Sequence, residues 1–202
     1  MRNHSFTWLK PVLARVRRYS GAALALPLFL SAYSASAPGA ANPQAADLAG
    51  TWAATATQGV IPKNGILLGP LSADTPMHIG LGLRLRNIDQ LKQQIFAVNT
   101  PGSPAYGQYL TSDQFIATYA PDPDRVQVVV NYLAAQGFRN ISLVPSRLFV
   151  SADGTAGMVQ QAFDTSLNNY VRNGQTLFTN ATPAQVPAAL GDVVLSVIGL
   201  QS

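Results

Sequence analysis

The sequence contains no cysteine and no glutamate; all nine of its acids are aspartates. Without cysteine there is no disulfide framework, so an exported domain of this composition must stand on its hydrophobic core. Thiolate zinc sites are excluded for the same reason. Histidine is scarce as well, with His4 near the start and His78 in the body. A Ser-His-Asp hydrolase needs a histidine beside its nucleophile, and His78 stands early in an alternating run with no nucleophile elbow nearby. It reads as an ordinary strand histidine at a sheet edge. Asp122 and Asp124 form a carboxylate pair, but both fall in the first turn of an expected helix, where capping and the helix dipole account for them. The stretch "SADGTAG" at 151–157 lacks the lysine and glycine spacing of a phosphate loop and reads as a turn and N-cap.

Charge is sparse and unevenly placed. Five of the 13 Lys+Arg lie before residue 38, leaving 8 basic residues against 9 acids, or −1, in the remainder. The basic balance of the whole chain therefore belongs to its first segment and gives no reason to expect a nucleic-acid partner. That segment has the order of a secretory signal peptide: Arg2, Lys10, Arg15, Arg17 and Arg18, then "GAALALPLFLSAY", then small residues. The apolar run is too short for the ~20 residues that span a bilayer, so no stable membrane anchor is expected. Residues 1–37 are the expected signal peptide, with cleavage between 34 and 41; the twin-arginine route is the alternative. Residues 38–75 are expected as a flexible leader that becomes an extended arm near "GVIPKNGILLGPL".

From residue 76 to 202 the pattern sharpens. Met77, Ile79, Leu81, Leu83 and Leu85 alternate with His78, Gly80, Gly82, Arg84 and Arg86, the period of a half-buried strand. Its glycines leave one face bare for a backbone or helix to approach. Arg84 and Arg86 on the polar face are either solvated or partner contacts. Asn87 and Gln90 have capping spacing for a helix with Ile88, Leu91, Ile95 and Val98 on one stripe. The loop "NTPGSPAYGQYL" leads into Thr111 and Gln114, the spacing of a capping box, flanked by Leu110 and Phe115 as a hydrophobic staple. Tyr106 and Tyr109 stand either side of Gly107 in that loop, as local packing or as a partner surface. Phe115 carries the same ambiguity.

Asp122-Pro123 opens a helix carrying Val126, Val129, Val130 and Leu133, although its consecutive valines keep a strand open as an alternative. "ISLV" and "LFVSA" read as a strand pair, and Thr155 as the start of a helix. Asn173-Gly174 marks a hairpin. The closing segment holds a short proline-started helix and an apolar run. This order predicts an α+β domain, ferredoxin-like, with an antiparallel sheet and helices packed on one face. By its residues alone it is a binding module.

Three stretches carry a family resemblance. "SPAYGQYLTSDQFIATYAP", "VSADGTAGMVQQAFDTSLNNY" and "VPAALGDVVLSVIGL" together resemble the activation domain of the sedolisin and kumamolisin family of acid serine peptidases. The resemblance runs from Met77 to Leu200, with Gln160-Gln161 departing from the charged residues common there. It implies a prodomain that folds onto its peptidase, assists its folding, covers the cleft and is shed at acid pH. Catalysis in that family belongs to a separate domain with a Ser-Glu-Asp triad and a bound calcium. This chain has no glutamate, so no catalytic residue carries over, and no cofactor is expected here. The expected partner is a sedolisin-type peptidase domain, in cis or in trans, for an exported chain that is secreted or periplasmic. Tyr106, Tyr109, Arg84 and Arg86 are the candidate partner contacts. A free-standing inhibitor or chaperone acting in trans, and an unrelated exported binding domain, are the alternatives; the stop two residues after Leu200 bears on the first of these.

Overall fold

A computed structural model describes residues 51–202. The expected signal peptide and the leader up to residue 50 lie outside the described residues. The elements are β1 (Trp52–Ala54), β2 (Ile66–Pro70), β3 (Pro76–Leu83), α1 (Ile88–Asn99), α2 (Ser112–Tyr119), α3 (Pro123–Ala135), β4 (Arg139–Leu143), β5 (Phe149–Thr155), α4 (Ala156–Ala162), β6 (Leu167–Arg172), β7 (Gln175–Asn180), β8 (Gln185–Pro187) and β9 (Val194–Ile198). A single 3₁₀ turn, Ala188–Leu190, follows β8. The protein is α+β, with four helices and antiparallel sheets among the described residues.

The main sheet has the order β4-β5-β3-β9, antiparallel throughout. Taken along the chain, β3, helix, β4, β5, helix and β9 make two interleaved β–α–β units. The alternation in β3 sets its two faces. Ile79, Leu81 and Leu83 meet Val150, Ala152, Val194 and Val197 on the side that α3 and α4 cover, and none of these is more than 4% exposed. Burying each large side chain contributes roughly 1.5–3 kcal/mol, so this layer carries most of the domain's cohesion. From α3 come Val126, Val129 and Leu133, and from α4 Ala156, Val159 and Ala162. The valine run is thus a helix, because Pro123 starts it and its apolar stripe finds the sheet. Tyr132 joins the two helices, its hydroxyl donating to the Ala162 carbonyl at 2.6 Å. Burial pushes the Tyr132 phenol well above its ordinary pKa. The buried residues of α1 and α2, Leu91, Val98, Tyr119 and Ala120, fall outside this core. Only α3 and α4 therefore build the helical layer that the sequence pattern predicted for all the helices.

On the open face of β3, among the described residues, neither a helix nor a second backbone uses the bare glycines. The ring of Phe149 from β5 lies over Gly80 instead, so close that a Cβ there would sit 2.1 Å from its Cζ. β3 is an interior strand, so His78 sits on an open sheet face and not at an edge. Residues Ser151 to Gly154, expected as a turn, continue β5, while Thr155 does cap α4.

Inserted between α4 and β9, the hairpin β6–β7 turns at Asn173 (φ 53°) and Gly174 (φ 76°), the two left-handed positions that an Asn-Gly turn provides. It forms a three-stranded sheet, β2-β6-β7. β1 pairs with β8 in a separate ribbon. Residues 51–75, expected as leader and arm, thus carry β1 and β2, both paired with strands more than 90 residues away. Their Ala, Thr and Gly composition hides this, because the pairing partners are distant.

Candidate functional site

The loop between α1 and α2 is built from its own hydrogen bonds. Thr100 Oγ1 donates to the Phe96 carbonyl (2.8 Å), Ser103 Oγ accepts from Ala105 N–H (3.2 Å), and Gln108 Nε2 donates to the Pro104 carbonyl (2.9 Å). Gly107, at φ 74°, returns the chain so that its N–H reaches the Val98 carbonyl at 3.0 Å. The capping box then forms in full. Thr111 N–H donates to Gln114 Oε1 at 2.9 Å, and Gln114 N–H donates to Thr111 Oγ1 at 3.2 Å. Leu110 and Phe115 line one shallow pocket beside it.

This scaffold holds Tyr106 and Tyr109 outward, 56% and 71% exposed. Of the two readings of these tyrosines, local packing is therefore the lesser. Phe115 goes the other way, half-buried with its ring 5.6 Å from that of Tyr119. Phe96 and Ile95, in the last turns of α1, are also exposed, Phe96 by 73%. Phe96 lies off the apolar stripe of α1, which is the signal in the sequence that could have found it. The anchor between Gly107 and Val98 brings Ile95, Phe96 and the tyrosine loop to the same end of α1.

The two arginines have a different use. Pro121 stops α2, which leaves its last carbonyls without helical partners. Arg86 takes three of them: its backbone N–H reaches Tyr119 (2.7 Å), Nε reaches Ala120 (2.5 Å) and Nη2 reaches Ala117 (2.8 Å). Its Nη1 also pairs with Asp122 Oδ1 at 2.6 Å. Asn87 Nδ2 donates to Thr118 (3.0 Å), and Arg147 donates to Ile116 and Pro121 (3.2 and 3.0 Å). Every carbonyl from residue 116 to 121 thereby has a donor, and the cations complement the negative end of the helix. Asn87 consequently makes no side-chain cap on α1, and Asp122 makes none on α3, although both occupy N-cap positions. Arg84 Nε donates to the carbonyls of Gly191 and Val194 at 3.1 and 3.2 Å. The arginines are thus bound within the chain, and the solvated reading of them gives way.

On the open sheet face, His78 Nδ1 is 2.6 Å from Asp153 Oδ1, and Asn140 Nδ2 donates to Asp153 Oδ2 at 2.8 Å. The hydrogen bond to His78, then that from Asn140, hold the Asp153 carboxyl below the usual carboxylate range. Asp153 so ties β3, β4 and β5 at one end. The hydrogen bonds among the described residues give His78 no hydroxyl partner, which a Ser-His-Asp relay requires. Among the described residues no group of three His, Cys, Asp or Glu could hold a metal ion. What the described residues offer is binding area: an aromatic end of α1 and a sheet face on which none of the described helices packs.

Comparison with known proteins decides the family. The profile of the pro-kumamolisin activation domain matches residues 63–202. The chain belongs to that family. It is 39% identical over 199 residues to sedolisin of Pseudomonas sp. (strain 101), covering 96% of this chain and 32% of that protein. It is 44% identical over 139 residues to xanthomonalisin of Xanthomonas sp. (strain T-22), covering 69% of this chain and 17% of that protein. Tripeptidyl-peptidase 1 of Canis lupus familiaris is 29% identical over 147 residues, 71% of this chain and 26% of that protein. The chain therefore spans a third or less of the length of these relatives.

Proposed function

We propose that this chain is the pro-part of an exported sedolisin-type serine peptidase. It assists the folding of the peptidase domain and keeps that domain inactive until acid releases it. The observation that carries the reading is the family match over 63–202, joined to an exposed aromatic surface on a loop fixed by its own hydrogen bonds. Tyr106 and Tyr109 are the contacts in this reading, since tyrosine brings large area with little conformational freedom to lose. Arg84 and Arg86 act behind that surface by fixing the elements that present it. Residues 1–37 direct export to the periplasm or medium, residues 38–50 are leader, and the body keeps the ferredoxin-like arrangement. Calcium and the catalytic groups belong to the peptidase domain.

Acid release follows from carboxylate chemistry. Aspartates paired with peptidase groups protonate as the pH falls below the reference value of about 3.9, and the pairs are lost. The test is inhibition of a sedolisin-type peptidase domain by this chain at about pH 7 and about pH 3. Inhibition confined to the higher pH supports the proposal; equal inhibition at both ends the acid-release part, and none at either ends the inhibitor part. The chain with Tyr106→Ala and Tyr109→Ala should bind more weakly with its fold intact. Unchanged inhibition removes the loop from the contact surface. Sequencing the DNA beyond the Ser202 codon separates action in cis from action in trans.

A further inference from the structure

The segment Thr51–Val60 precedes the residues matched by the family profile and has no sequence period. It is nonetheless bound to three strands in succession. β1 pairs with β8, Trp52 opposite Pro187 and Ala54 opposite Gln185. Thr55 follows, 5% exposed, with its hydroxyl donating to the Ala184 carbonyl at 2.6 Å. The segment then runs along β9. Ala56 N–H donates to the Leu195 carbonyl at 2.8 Å. The Thr57 hydroxyl donates to the Val197 carbonyl at 2.7 Å and accepts the Val197 N–H at 2.8 Å. One side chain thus satisfies both backbone groups that another strand would take. Finally it reaches β7, where Val60 N–H donates to Asn180 (2.7 Å) and Thr179 Oγ1 donates to Val60 (2.6 Å). At Gly59 a Cβ would lie 2.5 Å from the Ala181 carbonyl oxygen, so the crossing there admits glycine alone.

β9 and β7 are outer strands, one of the four-stranded sheet and one of the three-stranded sheet. Unpaired outer strands are where chains open or associate, and this one segment covers part of both. Directly behind it comes a turn, Pro62 to Gly65, closed by Gly65 N–H on the Pro62 carbonyl at 2.9 Å, with Pro62 buried and the two central residues exposed. Ile61 is 72% exposed, Lys63 and Asn64 are exposed, and Asn64 has φ 61°.

We propose that Thr51–Val60 is a detachable strap, and that one cut in the turn behind it, at Lys63–Asn64, releases it and loosens the domain at both sheet edges. Water adds across that peptide bond, leaving a carboxylate on Lys63 and an amine on Asn64; an endopeptidase supplies the catalysis. While the strap is covalently attached, its bonds form at the high effective concentration of an intramolecular contact. After the cut the same bonds must hold a separate peptide, which leaves on dilution. The core layer of β3, β5, α3 and α4 is untouched by the cut, so the domain opens from its edges. This step is independent of the peptidase reading, and its test needs no partner.

The full chain is treated under native conditions with a lysine-specific endopeptidase, beside the Lys63→Gln chain. Products are read by mass and gel filtration, and backbone protection by amide exchange. The other described lysine, Lys92, lies inside α1 and pairs with Asp89, so Lys63 should be cut first. The strap peptide should separate, and the Val197 amide should exchange at least about tenfold faster, while the Lys63→Gln chain keeps its strap and its protection. In the uncut chain, Thr57→Val should speed exchange at Val197 roughly fivefold, the loss of one hydrogen bond. Cut protein that retains the strap with Val197 still protected overturns the proposal. So does cutting at Lys92 while Lys63 resists, or a Thr57→Val chain with unchanged exchange at Val197.

Discussion

Replacing Arg86 by alanine removes three side-chain donors from one helix end. The carbonyls of Ala117 and Ala120 and the Asp122 carboxylate lose their partners, while the backbone N–H of residue 86 keeps its bond to Tyr119. A hydrogen bond from a charged donor contributes ~1.5–3 kcal/mol. The Arg86 side chain is about one-third exposed (34%) and that of Asp122 is 54% exposed, so water can replace part of what is lost. Bonds from one group also do not add independently. The expected net cost is therefore about 2–4 kcal/mol. For a domain of this size each kcal/mol lowers Tm by about 2–4 °C, which places the Arg86→Ala melt about 5–15 °C below the parent. Arg86→Lys keeps the charge at the helix end but not the fork, and should fall between the two. Thermal unfolding by circular dichroism, with peptidase inhibition measured on the same samples, reads both quantities. A solvated arginine would cost less than about 0.5 kcal/mol, and a melt that close to the parent refutes the capping argument. An unshifted melt with lost inhibition would move Arg86 to the partner surface.

Thr111→Ala breaks one half of the capping box and should cost about 0.5–2 kcal/mol in urea unfolding; no cost would mean that α2 starts without it. Gly80→Ala drives a Cβ into the Phe149 ring and should cost about 1–3 kcal/mol, a cost that Phe149→Ala relieves. Additive effects in the double-mutant cycle would show that the two do not touch. Asp153 has a lowered carboxyl pKa in the folded chain, so its stabilising effect is present above the unfolded value of about 3.9 and is lost as pH falls through the lower folded value. Denaturation midpoints taken downward from about pH 4 should therefore fall more steeply for the parent than for Asp153→Asn, and parallel curves would sink the assignment. The aspartate pairs invoked for acid release should be screened by added salt, so inhibition should weaken moderately as ionic strength rises; inhibition indifferent to salt would leave acid release without those pairs.

Local signals in this sequence were reliable where the deciding interaction is itself local. The alternation of β3, the Asn173-Gly174 hairpin, the Thr111–Gln114 box and the proline start of α3 each depend on residues a few positions apart, and each appears in the structure. Asn87 shows where this ends. Its spacing to Gln90 is a sound capping signal, yet the residue sits at φ 50° with its amide on Thr118, 31 residues away. The competing claim came from α2, whose carbonyls at 117 to 120 would otherwise stand unsatisfied. Arg86 is recruited by the same demand, so a residue that reads as polar strand face becomes a helix cap. The strap is the extreme case: Thr55 and Thr57 bind partners 129 and 140 positions away. Threonines in an Ala-rich stretch carry no local pattern that could show this. The candidate site lies between these limits. Its rigidity is written locally, in Gly107 and the capping box, but the outward placement of Tyr106 and Tyr109 follows from Gly107 docking on the end of α1. That docking is what turns a well-specified loop into a surface.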